Sequence, residues 1–177
     1  MLTPSALVGR ILKRIVLRPR VRRMTWDQLW AGAQRVKEGF EARIEGETEK
    51  SSEISAGGMN TKEILAHLAA GNRSIANRLD ALRIGNSMPS VTANLFSGAD
   101  GRTLGDLRRE FEESWRRLAE AVAGPIVGER TEPHDFFGPM TAPEWVALIA
   151  YHHEYHSRQI DRIQATKEHR QVRGGQF

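Results

Sequence analysis

Two histidines one helical turn apart are the side chains of this sequence best placed to do chemistry. His152 and His156 lie in the stretch 141–166, TAPEWVALIAYHHEYHSRQIDRIQAT. At about 100° per residue they fall in the middle of the apolar face of a helix. The same face carries Trp145, Ile149, Ile160 and Ile163. A polar group buried without a partner costs about 1–3 kcal/mol, so two inward imidazoles at i, i+4 spacing predict either a bound metal ion or hydrogen bonds to neighbouring residues.

A third histidine can complete the site. His67 lies in another amphipathic stretch, on the flank of its apolar stripe. Three imidazoles on one divalent ion leave one or two positions for water or substrate, as in catalytic sites, and bound water is then acidified toward neutrality. The sequence has no cysteine, which excludes a thiolate ligand, a thiol nucleophile and disulfides. Any thiol chemistry therefore needs an external thiol.

Other titratable residues receive weaker roles. We expect His153 to lie toward the edge of the buried face, at the surface or behind the ligands, with a role as substitute ligand as the alternative. His134 is a loop histidine that could also overhang the site, and His169 belongs to the tail. Glu63 could orient His67 or cap its helix, and capping alone explains it. Glu154 faces away from the ligands. The catalytic general base is unknown from the sequence.

Basic residues are concentrated at the N-terminus. The chain of 177 residues has a net charge of +4, but residues 1–24 hold seven Lys and Arg and no acid, leaving 19 basic against 22 acidic residues elsewhere. This segment predicts a short amphipathic helix. It could pack on its own domain with its charges solvated, contact anionic lipid or nucleic acid, or pack on a second subunit.

The remaining sequence predicts an all-α domain over residues 25–168. Amphipathic helices are expected over 25–44, after Asn60, from Thr103 onward and over 141–166. The polar stretches 85–102 and 125–140 predict two long crossover connections. No strand is expected, Gly124 is expected to end the third helix with a left-handed cap, and residues 169–177 form a flexible tail. The architecture is a four-helix bundle, in which sites are built from residues on facing helices.

Three motifs resemble the DinB/YfiT-like superfamily of four-helix bundle proteins. They are KEILAHLA around His67, YHHEYHSRQI on the last helix, and HDFFGPMTAPEW before it. In that family a histidine on the second helix and an H-x-x-x-H pair on the last helix form a metal triad. Matched position by position, the triad is His67, His152 and His156, followed by Gln159. The resemblance covers roughly residues 25–166 and not the basic segment.

The resemblance implies a divalent metal, usually zinc or nickel, and a homodimer. Family members include thiol-dependent transferases, a maleylpyruvate isomerase that uses a low-molecular-weight thiol, and hydrolases that act on reactive compounds. The sequence thus predicts a metal-dependent enzyme that activates water or an external thiol against a small electrophilic substrate. The alternative is a non-catalytic bundle that binds a metal or a small ligand. Zero cysteines fit a cytoplasmic location.

Overall fold

The structure is a computed structural model that describes residues 4–86, 88, 98–126 and 128–174, with side chains from residue 7 to 169. A helical segment at the N-terminus runs from α1 (Pro4–Leu12) through a π-helical turn (Lys13–Leu17) to α2 (Arg18–Arg23). Four longer helices follow, and a short 3-10 turn (Ser51–Glu53) lies between the first two. They are α3 (Trp26–Ile44), α4 (Thr61–Ile84), α5 (Leu104–Val122) and α6 (Ala142–Gly174).

Capping residues set where three of these helices begin. Thr25, Asn60 and Thr103 each accept a hydrogen bond from the backbone N–H three residues on, and the side chain at that position returns a bond to the cap's own N–H. This reciprocal capping box satisfies two N–H groups that have no partner within the helix. Glu63 is the acceptor at Asn60, with Oε2 2.7 Å from the Asn60 nitrogen. Its predicted capping role is therefore confirmed.

The helices form a four-helix bundle, as predicted. One apolar cluster joins the first halves of α3 and α6 to the second halves of α4 and α5. A second cluster joins the opposite halves. Thus α3 and α6 run in one direction and α4 and α5 in the other, which makes α4 and α5 parallel. The predicted crossover over 85–102 falls largely on residues 87 and 89–97, which lie outside the described part.

A polar layer separates the two apolar clusters at the middle of the bundle. On α4 its polar residues lie at positions 67 and 72, before Ile75, and on α6 they lie between Ile149 and Ile160. Within it lie His67, Asn72, Ser114, His152, His153, His156 and Ser157. Buried polar groups cost free energy unless they find partners. A whole layer of them therefore indicates a functional site.

The connection between α5 and α6 contains a small antiparallel hairpin, which the sequence did not predict. Strand β1 (Thr131–His134) pairs with β2 (Gly138–Thr141), with Thr131 opposite Thr141. Each strand has four residues and one proline, so neither shows the alternation that identifies a strand. The hairpin leads into α6, where Glu144 Oε2 accepts a hydrogen bond from the Thr141 N–H at 2.9 Å.

Two helix ends differ from the prediction. Gly124 does not adopt a positive φ, so the expected left-handed cap is wrong. Instead Ala123 N–H bonds to Glu120 O, and Arg83 Nη2 donates to Ala121 O at 2.7 Å and to Gly124 O at 3.2 Å. These donors satisfy the last carbonyls, which is what a left-handed cap would otherwise do. Helix α6 also continues to Gly174, beyond the expected end at residue 166.

The N-terminal segment packs on the bundle. Leu17 is fully buried in the first apolar cluster. Lys13 forms a salt bridge to Glu144 at 2.9 Å and also donates to the carbonyl of Pro139. Glu144 accepts a longer contact, 3.4 Å, from Arg18. Within the described residues, no helix is both long and apolar enough to cross a membrane.

Candidate metal centre

The three predicted ligands converge in the polar layer. His67 Nε2 lies 2.9 Å from His152 Nε2, and His156 Nε2 lies 3.2 Å from the same atom. The three ligand atoms all fall within 4.8 Å of one another. His67 comes from α4 and the other two from α6, one turn apart, so the triad bridges two antiparallel helices. Three histidines in this arrangement could hold a metal ion.

Proton positions explain why a cation suits this cluster. His156 Nδ1 is 2.6 Å from Gln159 Oε1, which can only accept, so the proton of a neutral His156 lies on Nδ1. Its Nε2 therefore presents a lone pair toward His152. A single proton on His152 Nε2 can bridge to one neighbour but not satisfactorily to both. A metal ion accepts all three lone pairs at once, which makes it the better occupant of this point.

Two of the three distances between ligand nitrogens also fit the size of a first-row metal. Two nitrogens bound tetrahedrally at about 2.0–2.1 Å lie about 3.3 Å apart, close to the observed 2.9 and 3.2 Å. Burial, together with the neighbouring imidazoles, holds the pKa of His152 well below its usual range. Burial and His67 lower the pKa of His156 to about 4, although its bond to Gln159 opposes the shift. Both rings are thus neutral near pH 7, the form that binds metal.

His152 is the most exposed of the three candidate ligands. His67 and His156 are buried, with 8% and 2% of their surface exposed, while His152 is partly exposed. Tyr155 stands beside the cluster, with its ring edge-on to His156 at 5.1 Å, and is half exposed. Three protein nitrogens and a partly open side are what an exchangeable position on a bound ion requires.

Gly71, which no sequence motif identifies, leaves space for the His152 ring. A Cβ placed on Gly71 would lie 3.0 Å from His152 Cε1 and 3.4 Å from Nδ1. Gly71 is one turn after His67 on α4, so the bare backbone lets the α6 histidine approach the α4 histidine. The four-residue spacing of His67 and Gly71 can be read from the sequence, but the role of Gly71 depends on which helix packs against it.

We expect Gly71→Ala to weaken metal binding while stabilising the metal-free protein. The added methyl displaces the His152 ring by a few tenths of an ångström, and a shifted ligand should cost about 10-fold in affinity. Alanine within a helix is favoured over glycine by up to about 1 kcal/mol. Metal titration and urea unfolding in chelator measure the two effects. A matched change at Gly105, where the nearest atoms to an added Cβ lie at 3.8 Å, should leave metal affinity unchanged.

His153 lies elsewhere than predicted. It is fully buried and packs among Phe40, Phe111 and Trp115, at ring distances from 5.3 to 6.4 Å, rather than at the edge of the face. Its Nε2 donates to Asn72 Oδ1 at 3.0 Å. Asn72 Nδ2 donates in turn to Ser114 Oγ at 3.2 Å. Burial lowers the pKa of His153 to about 3, so this histidine is a neutral core residue that supports the same polar layer.

His134 lies in strand β1 and does not join the cluster. Its Nδ1 accepts hydrogen bonds from the backbone N–H of Phe136 at 3.0 Å and of Phe137 at 3.3 Å, and its ring packs 5.3 Å from Trp145. Burial, opposed by Asp135, lowers its pKa to about 4. A proton on Nδ1 would also face the two N–H donors. This histidine therefore shapes the hairpin turn.

The His134→Asn substitution should make the protein less sensitive to acid. Below pH 6.5 His134 binds a proton in the unfolded chain. In the folded chain, where its pKa is about 4, it stays neutral until the pH falls further. Stability from this residue is thus complete above pH 6.5 and declines toward pH 4, by up to about 1.4 kcal/mol per pH unit. Asparagine keeps an acceptor for the turn but does not titrate. Urea unfolding of both proteins in chelator at several pH values measures the difference; equal slopes would contradict it.

The remaining acidic candidate stays outside the site. Glu154 forms ion pairs with Arg20 at 3.3 Å and Arg158 at 2.6 Å, in agreement with its predicted orientation away from the ligands. Among the residues that the structure describes, no carboxylate joins the three histidines. Gln159, which the sequence marked only by its position in the family pattern, is the outer partner of a ligand.

Comparison with known proteins agrees with this architecture. The DinB superfamily matches residues 47–160, more than half of the chain. The crystal structure of TT2238, a four-helix bundle protein, superposes with a TM-score of 0.63 at 20% sequence identity, covering 77% of this chain and 98% of that one. At this identity the likeness shows the fold alone. No curated protein sequence matches. The match to more than half of the sequence, over the helices that carry the histidine cluster, places this chain in the DinB superfamily.

Proposed function

We propose that the protein is a metal-dependent enzyme in which His67, His152 and His156 hold a divalent ion, zinc or nickel. The observation that carries the proposal is the convergence of three Nε2 atoms, two pairs of them at 2.9 and 3.2 Å, in a buried layer of the bundle. A structural core would be served better by apolar side chains, because buried imidazoles are depressed in pKa and demand partners.

The chain's own residues prepare the site. Gln159 fixes the tautomer of His156, and Gly71 lets His152 approach α4. The apolar clusters above and below the layer limit the contact of the ligands with solvent, which strengthens electrostatic interactions there. A divalent metal, when bound, supplies Lewis-acid activation of a water molecule or of a thiol. Because the chain has no cysteine, a thiol must come from outside.

Two reaction classes follow: hydrolysis of a small electrophilic substrate, or transfer of a low-molecular-weight thiol to it. In both, the metal would favour the deprotonated, nucleophilic form of water or of a thiol, and neither requires a nucleophilic side chain. The described residues offer no carboxylate in the cluster, which favours the thiol class. A thiol has a pKa of about 8.5 and needs less help from a base than water does.

The same observation supports a second candidate, a non-catalytic protein that binds a metal or a small ligand. A site without a general base can hold a ligand without transforming it. The two candidates differ in the exchange of the remaining metal position. An open position should accept an added thiol or azide, whereas a structural site closed by a fourth protein ligand should not.

The test begins with protein purified without an affinity tag, stripped by chelator and reloaded with Zn²⁺, Ni²⁺ or Co²⁺. The Co²⁺ absorption spectrum should change on addition of a small thiol. Turnover of a panel of activated esters and amides, and of electrophiles with and without thiol, should depend on the metal and be lost in His156→Ala. Equal turnover in metal-free protein would refute the enzyme proposal. A metal spectrum unaffected by every added ligand would favour the binding protein.

We also propose a homodimer and a cytoplasmic location, both from the family resemblance and the absence of cysteine. Sedimentation at several protein concentrations tests the first, and fractionation of the source cells tests the second.

A further inference from the structure

The N-terminal segment presents an unpartnered apolar stripe to solvent. Leu7, Val8, Ile11 and Ile15 are between 51% and 63% exposed. Outside this segment, the described residues include two comparably exposed large apolar side chains, Ile84 and Tyr155. Four such side chains on one short segment are unusual, because a solvated helix normally carries polar residues at such positions.

The opposite face of the segment holds it firmly against the bundle. Gly9 is buried so close to the hairpin that a Cβ there would collide with the Phe136 carbonyl. Lys13 and Leu17 follow at four-residue spacing and are buried, the first by its salt bridge to Glu144 at 2.9 Å. The stripe is therefore displayed by a docked segment, and its exposure does not come from a helix that has lost its contacts.

Positive charge surrounds the stripe. Residues 1–24 contain seven basic residues and no acid, and the rest of the chain has a slight excess of acid. Arg10 and Arg14 are exposed between the apolar residues, and Arg22 and Arg23 are exposed beyond them. Exposed aliphatic side chains flanked by arginines match the boundary between headgroups and acyl chains in a membrane that contains anionic lipid.

We propose that this segment docks the protein on the surface of an anionic lipid bilayer. The isoleucine and leucine side chains enter the interface, and the arginines contact lipid phosphates. The segment lies on the bilayer and does not cross it, since no helix of the described residues is long and apolar enough to span one. The contact would be reversible, because the buried apolar area of one short segment is small. This inference is independent of the proposed enzyme activity.

Charge and side-chain type decide between this surface and the other partners. In a two-fold dimer through the segment, the arginines around the apolar stripe of one copy would face those of the other copy, and like charges repel. The phosphates of a nucleic acid would contact the arginines but would leave the exposed isoleucines in water, since phosphate contacts are polar. An anionic bilayer satisfies both kinds of side chain.

The test measures sedimentation of the full chain with vesicles of phosphatidylcholine alone, or mixed with about one third phosphatidylglycerol. We expect binding to the anionic vesicles only, weakened by salt. The double substitution Ile11→Ser with Ile15→Ser should weaken binding about ten-fold for each isoleucine. Arg14→Gln should weaken it about five-fold. All of these side chains are exposed, so the variants should fold normally by circular dichroism.

Matched controls lie elsewhere on the bundle. Ile84→Ser removes an apolar side chain that is 69% exposed on α4, and Arg116→Gln removes an exposed arginine on α5. Both should bind vesicles like the wild type. Equal binding to neutral vesicles, or unchanged binding by the isoleucine double variant, would overturn the proposal. Duplex DNA binding without vesicle binding would overturn it in favour of nucleic acid, and dimerisation that the double variant abolishes, without vesicle binding, would favour a second copy.

Discussion

The His152→Ala variant should no longer gain thermal stability from zinc or nickel. His152 Nε2 is the atom that both other ligands approach, at 2.9 Å from His67 and 3.2 Å from His156. Loss of an outer partner of a ligand typically costs about 10–100-fold in metal affinity, and loss of the central ligand should cost more. In wild-type protein, metal at a thousand times its Kd adds about 4 kcal/mol to the free energy of unfolding.

Unfolding with and without metal measures this effect without an assay of turnover. His134→Asn provides the matched control, because it removes another partly buried histidine that contacts none of the three ligands. That variant should keep the full metal-dependent shift. A His152→Ala protein that still gains the wild-type stabilisation would show that metal binds at another place and would remove the basis of the proposed function.

Gln159→Leu should weaken metal binding less than His152→Ala does, because Gln159 orients a ligand and is not a ligand itself. Gln159 Oε1 accepts from His156 Nδ1 at 2.6 Å and thereby keeps the proton off Nε2. Leucine removes that acceptor, and we expect an affinity loss of about 10–100-fold. Gln159→Glu should instead retain binding, since a carboxylate accepts the same bond. If both variants bound metal as the wild type does, the tautomer argument would be wrong.

Much of the fold was predictable because its signals are local. The capping boxes at Thr25, Asn60 and Thr103 each depend on residues three apart, and the apolar periodicity of the helices can be counted along the chain. The pairing of His152 with His156 is likewise a property of one helix. Their meeting with His67 required a second helix, and there the family pattern supplied what spacing alone could not.

The errors share a different origin, in contacts between distant residues. His153 was expected at the edge of the apolar face, but α6 packs against both α3 and α4, so its buried face is wider than one stripe. Gly71 has meaning only when His152 faces it. The hairpin at 131–141 is held by pairing and by the Arg78–Glu132 contact, neither of which leaves a periodic pattern. Local rules therefore locate elements and ligands, while the supporting residues require the packed structure.

The buried ion pair between Arg78 and Glu132 is the basis of the second large effect. Glu132→Ala should lower the free energy of unfolding by about 3–5 kcal/mol. Glu132 Oε2 lies 3.1 Å from Arg78 Nη1, with the two side chains 2% and 4% exposed, and it also accepts the Met88 N–H at 3.0 Å. The Arg78 guanidinium lies 5.7 Å from the Trp145 ring centroid. Alanine would remove the carboxylate that meets this buried guanidinium, in the place where α4, the hairpin and α6 meet.

A paired substitution separates the cost of breaking this ion pair from the value of having it. Replacing both residues by apolar side chains, Arg78→Met with Glu132→Leu, should restore most of the stability, because well-packed apolar residues often match or exceed a buried ion pair. The single variants Arg78→Met and Glu132→Leu should melt about 10 °C below the wild type, and the double variant much closer to it. Urea unfolding of all four proteins gives the coupling free energy. Additive losses in the double variant would mean that Arg78 and Glu132 stabilise the fold through separate contacts, and the ion pair would then not be what attaches the hairpin to α4.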